Sequence, residues 1–216
     1  MDTIYLGVDI AGATNTWVGG VCPMANGLNI SFPPKKQSLA DIVRYAEQNN
    51  VVAVAIDAQL TSSINDENGF RSSDLQLRGL LPPKFKVWVA SQNSMMAVPI
   101  RGRQLAEALS PCVGTIIETH PRSCLHFANP DIPEVVQNYK KDDGEIYRRT
   151  LWERWIKLFN INGDISEISD GALDSIVCAT VAYLFHQEPS RLLKLQYSEH
   201  NKTGRGPFYV LYPEFN

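Results

Sequence analysis

The chain has 216 residues, 44% apolar and 20% charged, which excludes a disordered or fibrous protein and fits one sizeable domain better than two. Its net charge of −3 argues against attraction to nucleic acid by the surface as a whole. The opening MDTIYLGVDI has no basic stretch, and its apolar run is far short of the ~20 residues of a membrane span, so a cytoplasmic protein with no membrane partner is expected.

Residues 4–10 read as a first strand, 16–22 as a second containing Trp17, and 28–32 as a third after the turn-forming Asn26–Gly27. Together they predict an antiparallel meander. Ser38 and Asp41 then form a capping box, followed by Leu39, Ile42, Val43 and Ala46 at helical spacing. The run VVAVAIDA (51–58) is apolar throughout and ends on Asp57, as a strand buried on both faces does; VGTIIET (113–119), with Glu118, reads the same way.

Between these two strands lies an excursion of roughly residues 60–110, read as a functional insertion or rim with a short helix at GRQLAEAL. From Arg71 to Arg103 it carries Arg71, Arg78, Lys84, Lys86, Arg101 and Arg103 against the single acid Asp74, a net +5 that leaves −8 for the rest of the chain. Two readings are open: a solvated loop with spare cations, or a surface that faces phosphate. After THPRS, a loop with Pro130 and Pro133 leads to an amphipathic helix whose buried face is expected to hold Tyr147, Leu151, Trp155, Leu158 and Phe159. Residues 169–187 are apolar nearly all round, the mark of a helix buried against the main sheet, and GPFYVLYP is read as a last strand. Cys22, Cys112, Cys124 and Cys178 are scattered without a C-x-x-C pair, so neither a disulfide frame nor a zinc site is indicated. No repeat or linker divides the chain, so a single α/β domain spanning 1–216 is expected.

Three strands end on an acid: Asp9, Asp57 and Glu118. The carboxyl ends of parallel strands line the crevice where ligands bind. Because side chains alternate, Asp9 shares a face with Gly7, Asp57 with Ala53 and Ala55, and Glu118 with Gly114. In the late helix, Gly171, Asp174, Ser175, Cys178 and Ala182 form a stripe of mostly small residues that permits close approach to the sheet. Asp174 is therefore expected over Asp9 and Asp57. Such a cluster repels itself unless protons or a cation compensate, and carboxylate oxygens suit Mg²⁺ or Mn²⁺, which in pairs promote phosphodiester hydrolysis. Plainer readings stand beside this one. Asp57 could end its strand in an Asx turn, Glu118 could pair with Arg122 or His120, and Asp170 reads as a first-turn helix residue rather than a ligand. His120 is read either as a proton shuttle or as a hydrogen-bonded residue.

GVDIAG with a following Trp, VAVAIDA, RSSD with Arg78, IETHP and LDSIVCATVAYL, in this order from Gly7 to about Phe185, resemble the domain of unknown function 429 family, described as predicted nucleases. The resemblance implies a ribonuclease H-like mixed sheet, an antiparallel three-strand meander continued by parallel strands, with helices on both faces and an inserted basic rim. It implies Asp9, Asp57 and Asp174 as metal ligands and catalytic acids, and Glu118, from the E-x-x-P element, as a further catalytic acid. Arg71, Asp74 and Arg78 match the family's R-x-x-D stretch and the Arg after it, which implies substrate binding through phosphate or ordering of the rim. Many relatives have Pro directly after the second strand acid; here Ala58 and Gln59 precede Leu60, a difference in the local turn.

The expectation is thus a Mg²⁺- or Mn²⁺-dependent nuclease with nucleic acid as partner. DIAGAT also resembles the first phosphate motif of sugar kinases and actin-like ATPases, so an ATP-using phosphotransferase is the second reading, although no second Gly-rich loop follows. A non-catalytic binding protein that retains the fold is the third.

Overall fold

The computed structural model describes residues 2–62, 67–95, 97–166, 168–198 and 206–213. Strands β1 (Ile4–Asp9), β2 (Trp17–Met24) and β3 (Gly27–Lys36) form the meander. Helix α1 (Leu39–Gln48) returns the chain to β4 (Val51–Asp57), which lies parallel to β1; after the excursion, β5 (Thr115–Glu118) lies parallel to β4. With β6 (Ile161–Asn162) on the far edge, the sheet order is β5-β4-β1-β2-β3-β6. This is the mixed sheet of a ribonuclease H-like fold, antiparallel at first and then parallel.

β3 runs past the expected stop at residue 32 and includes Pro33 and Pro34. It can do so because β6 pairs only with Leu28 and Asn29, leaving the later residues on an open edge where a missing N–H is tolerated. Helix α1 starts where the capping box places it: the Ser38 hydroxyl accepts from Asp41 N–H at 3.1 Å and donates to the Asp41 carboxylate at 2.7 Å.

The excursion holds α2 (Ser72–Leu80), α3 (Gln92–Met95) and α4 (Ala97–Leu109). Its arginines are turned toward the protein. Arg78 donates to the carbonyls of Lys86 and Val89 at 2.8 and 3.0 Å, Arg101 to Ala11 O at 2.9 Å, and Arg103 to Thr61 O at 3.2 Å, while Lys84 pairs with Glu134. Chain outside regular ladders has carbonyls that need donors, and these side chains supply them.

After β5 the chain forms α5 (Pro121–Ala128), α6 (Pro133–Asn138) and α7 (Glu145–Phe159). The THPRS segment is thus the start of a helix: His120 caps it and Pro121 sits in its first turn, where no backbone donor is needed. On α7 the buried face is Leu151, Trp152, Trp155 and Phe159, whereas Leu158 is 39% exposed, a correction to the expected stripe. Helix α8 (Asp170–Gln187) is buried along most of its length, capped by the Ser169 hydroxyl on Ala172 N–H at 3.1 Å. A small antiparallel pair, β7 (Leu192–Lys194) and β8 (Tyr209–Leu211), ends the fold, with Phe208 bridging to Glu118.

Two apolar clusters cover the two faces of the sheet. One joins Tyr5, Ala53 and Ala55 to α5, α7 and α8; the other joins Leu6, Val54 and Ile56 to α1 and α4. Among the described residues no helix is long and apolar enough to cross a membrane. All four cysteines are free, and Cys22, Cys124 and Cys178 are buried.

Candidate metal centre

Asp9 and Asp57 close adjacent parallel strands and are register partners, so their side chains leave the sheet at the same height. They lie on the face of Gly7 and Ala55, the face that α8 covers. The helix comes close because Gly7 has no side chain: a Cβ there would lie 2.0 Å from Ser175 O. That contact sets the residue before it, Asp174, over the ends of β1 and β4. Asp9, Asp57 and Asp174 each offer a carboxylate oxygen within 4.8 Å of the others, the first two partly exposed and the third buried.

Asp9 and Asp57 open on a cavity of about 480 Å³, walled by the β1–β2 turn, the excursion, and the ends of β4 and β5. Within that turn, Ala11 N–H is taken by the Thr16 hydroxyl at 3.3 Å and Asn15 N–H by Gly12 O at 3.1 Å, while Arg101 caps Ala11 O. Two groups that sequence reading missed complete the site. Tyr139 O–H donates to Asp174 Oδ1 at 2.9 Å, and Lys140 Nζ forms an ion pair with Asp174 Oδ2 at 2.6 Å. Both stand in the turn after α6, far from the acids in sequence, and carry no local signature.

The electrostatics follow from burial and from one cation facing three acids. Burial, then the nearby Asp174 and Asp170, raise Asp9 from 3.8 to about 7 against the opposing pull of Lys140. Burial and the neighbouring Asp9 push Asp57 well above the carboxylate range, and burial raises Asp174 despite Lys140. Burial alone would lower Lys140, but Asp174 and its neighbours outweigh it and hold the ammonium charged. The donor set is hard oxygen, and three carboxylates outnumber the Lys140 ammonium that faces them. These residues fit a divalent cation such as Mg²⁺ or Mn²⁺.

Glu118 stands apart from this cluster, a correction to the expected fourth acid. β5 is level with Ile56 rather than Asp57, so Glu118 leaves the sheet on the opposite face. There it accepts from Leu60 N–H at 2.8 Å and from Arg71 at 2.7 and 2.5 Å. Burial raises its pKa, and the Arg71 guanidinium draws it back only in part. Its partner is Arg71, not Arg122 or His120.

Arg71 is 3% exposed; it also binds Asp74 through Nε at 3.0 Å and Nη2 at 2.6 Å, and Thr61 Oγ1 at 3.0 Å. Asp74 further accepts Arg71 N–H at 2.9 Å. Of the two roles expected of Arg71, Asp74 and Arg78, binding phosphate or ordering the rim, the contacts here are of the second kind: their polar groups are committed to one another, to Glu118 and to backbone carbonyls. They tie the excursion to β5.

His120 is likewise occupied. Its Nδ1 accepts from Ser123 N–H at 3.2 Å and its Nε2 donates to Trp88 O at 3.2 Å. Burial lowers its pKa to about 4, so it stays neutral and has neither nitrogen for proton transfer. Asp170 sits in the first turn of α8, where the helix dipole favours an acid, and lies outside the three-acid group.

These shifts set a pH response. His120, depressed when folded, makes stability rise as pH climbs from about 4 to 6.5; Asp9, raised when folded, makes it fall from about 4 to beyond 7. Above pH 6.5 the acid contribution stands without that offset. Metal-free protein is expected to lose melting temperature between pH 6.5 and 8 in scanning calorimetry, and added Mn²⁺ to restore it. A flat profile over that window would show that the acids are not strained.

No family model matches the chain, and no curated protein matches it. Among solved structures the human cytomegalovirus terminase nuclease domain is similar at 13% identity, over 86% of this chain and 84% of that one, with a TM-score of 0.27. At that TM-score the likeness is too slight to argue from.

Proposed function

We propose that this protein is a divalent-metal-dependent nuclease, hydrolysing phosphodiester bonds of nucleic acid at Asp9, Asp57 and Asp174. The observation that carries the reading is the convergence of three carboxylates from β1, β4 and α8 at the carboxyl ends of parallel strands, with Asp9 and Asp57 lining a cavity and Asp174 buried behind them. Bound there, Mg²⁺ or Mn²⁺ would supply an activated water and stabilise charge on the leaving oxygen. Asp9 and Asp57 offer oxygens from one side and Asp174 from the other. Tyr139 fixes the Asp174 carboxylate by holding Oδ1. Arg71, Asp74 and Glu118 act at a distance by holding the excursion that walls the cavity.

The test is calorimetric titration with Mn²⁺ beside cleavage assays on single-stranded and duplex DNA, RNA and branched junctions. Binding by the native chain and its loss in Asp57→Asn and Asp174→Asn are expected, with cleavage only when metal is present. A folded protein that neither binds Mn²⁺ nor cleaves any of these substrates overturns the reading. Thermal stabilisation by ATP in that case would favour a phosphotransferase.

A further inference from the structure

Asp174 Oδ1 is held by Tyr139, so the oxygen it can offer to a shared cation is Oδ2, the atom that Lys140 approaches at 2.6 Å. A metal ion on that oxygen would meet the ammonium's charge at close range. The backbone under Lys140 is fixed: Arg148 donates to Tyr139 O at 2.8 Å and Lys141 O at 2.9 Å, and ties that turn to Ile168 O ahead of α8 at 2.8 Å. The side chain itself is a long flexible stem. It keeps 34% of its surface exposed although its ammonium faces the acids, and it already lines the cavity.

We propose that Lys140 is an exchangeable counter-cation. Without metal its ammonium neutralises the cluster through Asp174 Oδ2; with that oxygen engaged by metal, the ammonium turns into the cavity and meets a phosphate oxygen of the substrate. The inference rests on reading the three acids as a metal site. It gives the site a phosphate-binding cation, a role the guanidinium of Arg71, committed to Glu118 and Asp74, does not fill. It also explains why the cation paired with Asp174 is a lysine on a turn: a strongly hydrated point charge on a pliant stem can leave, whereas a forked guanidinium locked on a carboxylate is held.

The experiment is Mn²⁺ calorimetry on the native chain, Lys140→Met and Lys140→Arg, together with the Lys140 ε-CH₂ resonance followed by NMR as Mg²⁺ is added to native protein. Removing the competing charge is expected to tighten Mn²⁺ binding about tenfold in Lys140→Met, with Lys140→Arg weaker than native because its guanidinium stays on the carboxylate. The KM for an oligonucleotide should rise in Lys140→Met. The ε-CH₂ resonance should move as metal binds, a readout that stands even if Lys140→Met fails to fold. Native binding with equal or weaker affinity in Lys140→Met, or a resonance that stays in place at saturation, overturns the exchange. No binding by the native chain or by either variant would instead remove the metal site itself, and the exchange with it.

Discussion

Asp9→Asn is expected to stabilise the metal-free protein and to abolish metal-dependent cleavage. The stabilisation follows from the rise of Asp9 from 3.8 to about 7. At 1.36 kcal/mol per pH unit, ionising it in the folded state costs on the order of 2–4 kcal/mol at pH 8, and a neutral amide escapes that cost. At pH 5 Asp9 is protonated in the native fold but still ionised in the unfolded chain, so the gain falls by more than half, and it vanishes only below about pH 4. Urea unfolding in chelator at the two pH values measures the difference directly. Cleavage should fall by ~10³ or more, because several kcal/mol of charge stabilisation go with the metal. Glu118→Gln is the contrasting case. Its carboxylate answers the buried Arg71, so that variant should lose about 3 kcal/mol at pH 8, where Asp9→Asn gains. If Asp9→Asn instead destabilised the chain like Glu118→Gln, Asp9 would be a structural acid, and the reading of the triad as a metal site would fail with it.

That contrast marks how far the sequence could be read. Asp9, Asp57 and Glu118 look alike in one dimension, each an acid ending an apolar strand. What separates them is the register of β5, which aligns Glu118 with Ile56 and turns it to the other face. A shift of one residue reverses a strand's faces, and register is settled across the sheet rather than within the strand. The strands themselves, α1 and α8 were legible because their patterns are local: continuous apolar runs, a capping box, an all-round apolar helix. The small stripe on α8 was legible for the same reason, and it brought Asp174 to the right place.

The basic excursion was counted as charge and read as surface, whereas its arginines serve as internal donors to carbonyls that no strand partner satisfies. Tyr139 and Lys140 complete the site from a turn with no pattern of its own, placed there by the packing of α6 and α7 and the Arg148 clamp. Pro121 takes its helical role from sitting in the first turn, which His120 defines.

Gly7→Ala tests the contact that makes the site. The added methyl would lie 2.0 Å from Ser175 O, 2.1 Å from Ala179 N and 2.6 Å from Cys178 Cβ. Two of these are backbone atoms inside a buried helix, so no rotamer change relieves the clash and α8 must move off β1. The cost is expected to be about 3 kcal/mol or more, at the upper end of overpacking. Because Ser175 follows Asp174, the same displacement carries the third carboxylate away from Asp9 and Asp57. A shift near 1 Å is enough to cost ~10² in cleavage. Gly12→Ala is the matched control: nothing lies within 4 Å of its Cβ position, so stability should stay within about 1 kcal/mol of native even though Gly12 lines the cavity. Denaturant unfolding and Mn²⁺ calorimetry on both variants, at a temperature where each is folded, separate the effects. Gly7→Ala with native Mn²⁺ affinity would mean that the helix can retreat without moving its carboxylate, and that the approach of α8 to Gly7 serves packing alone.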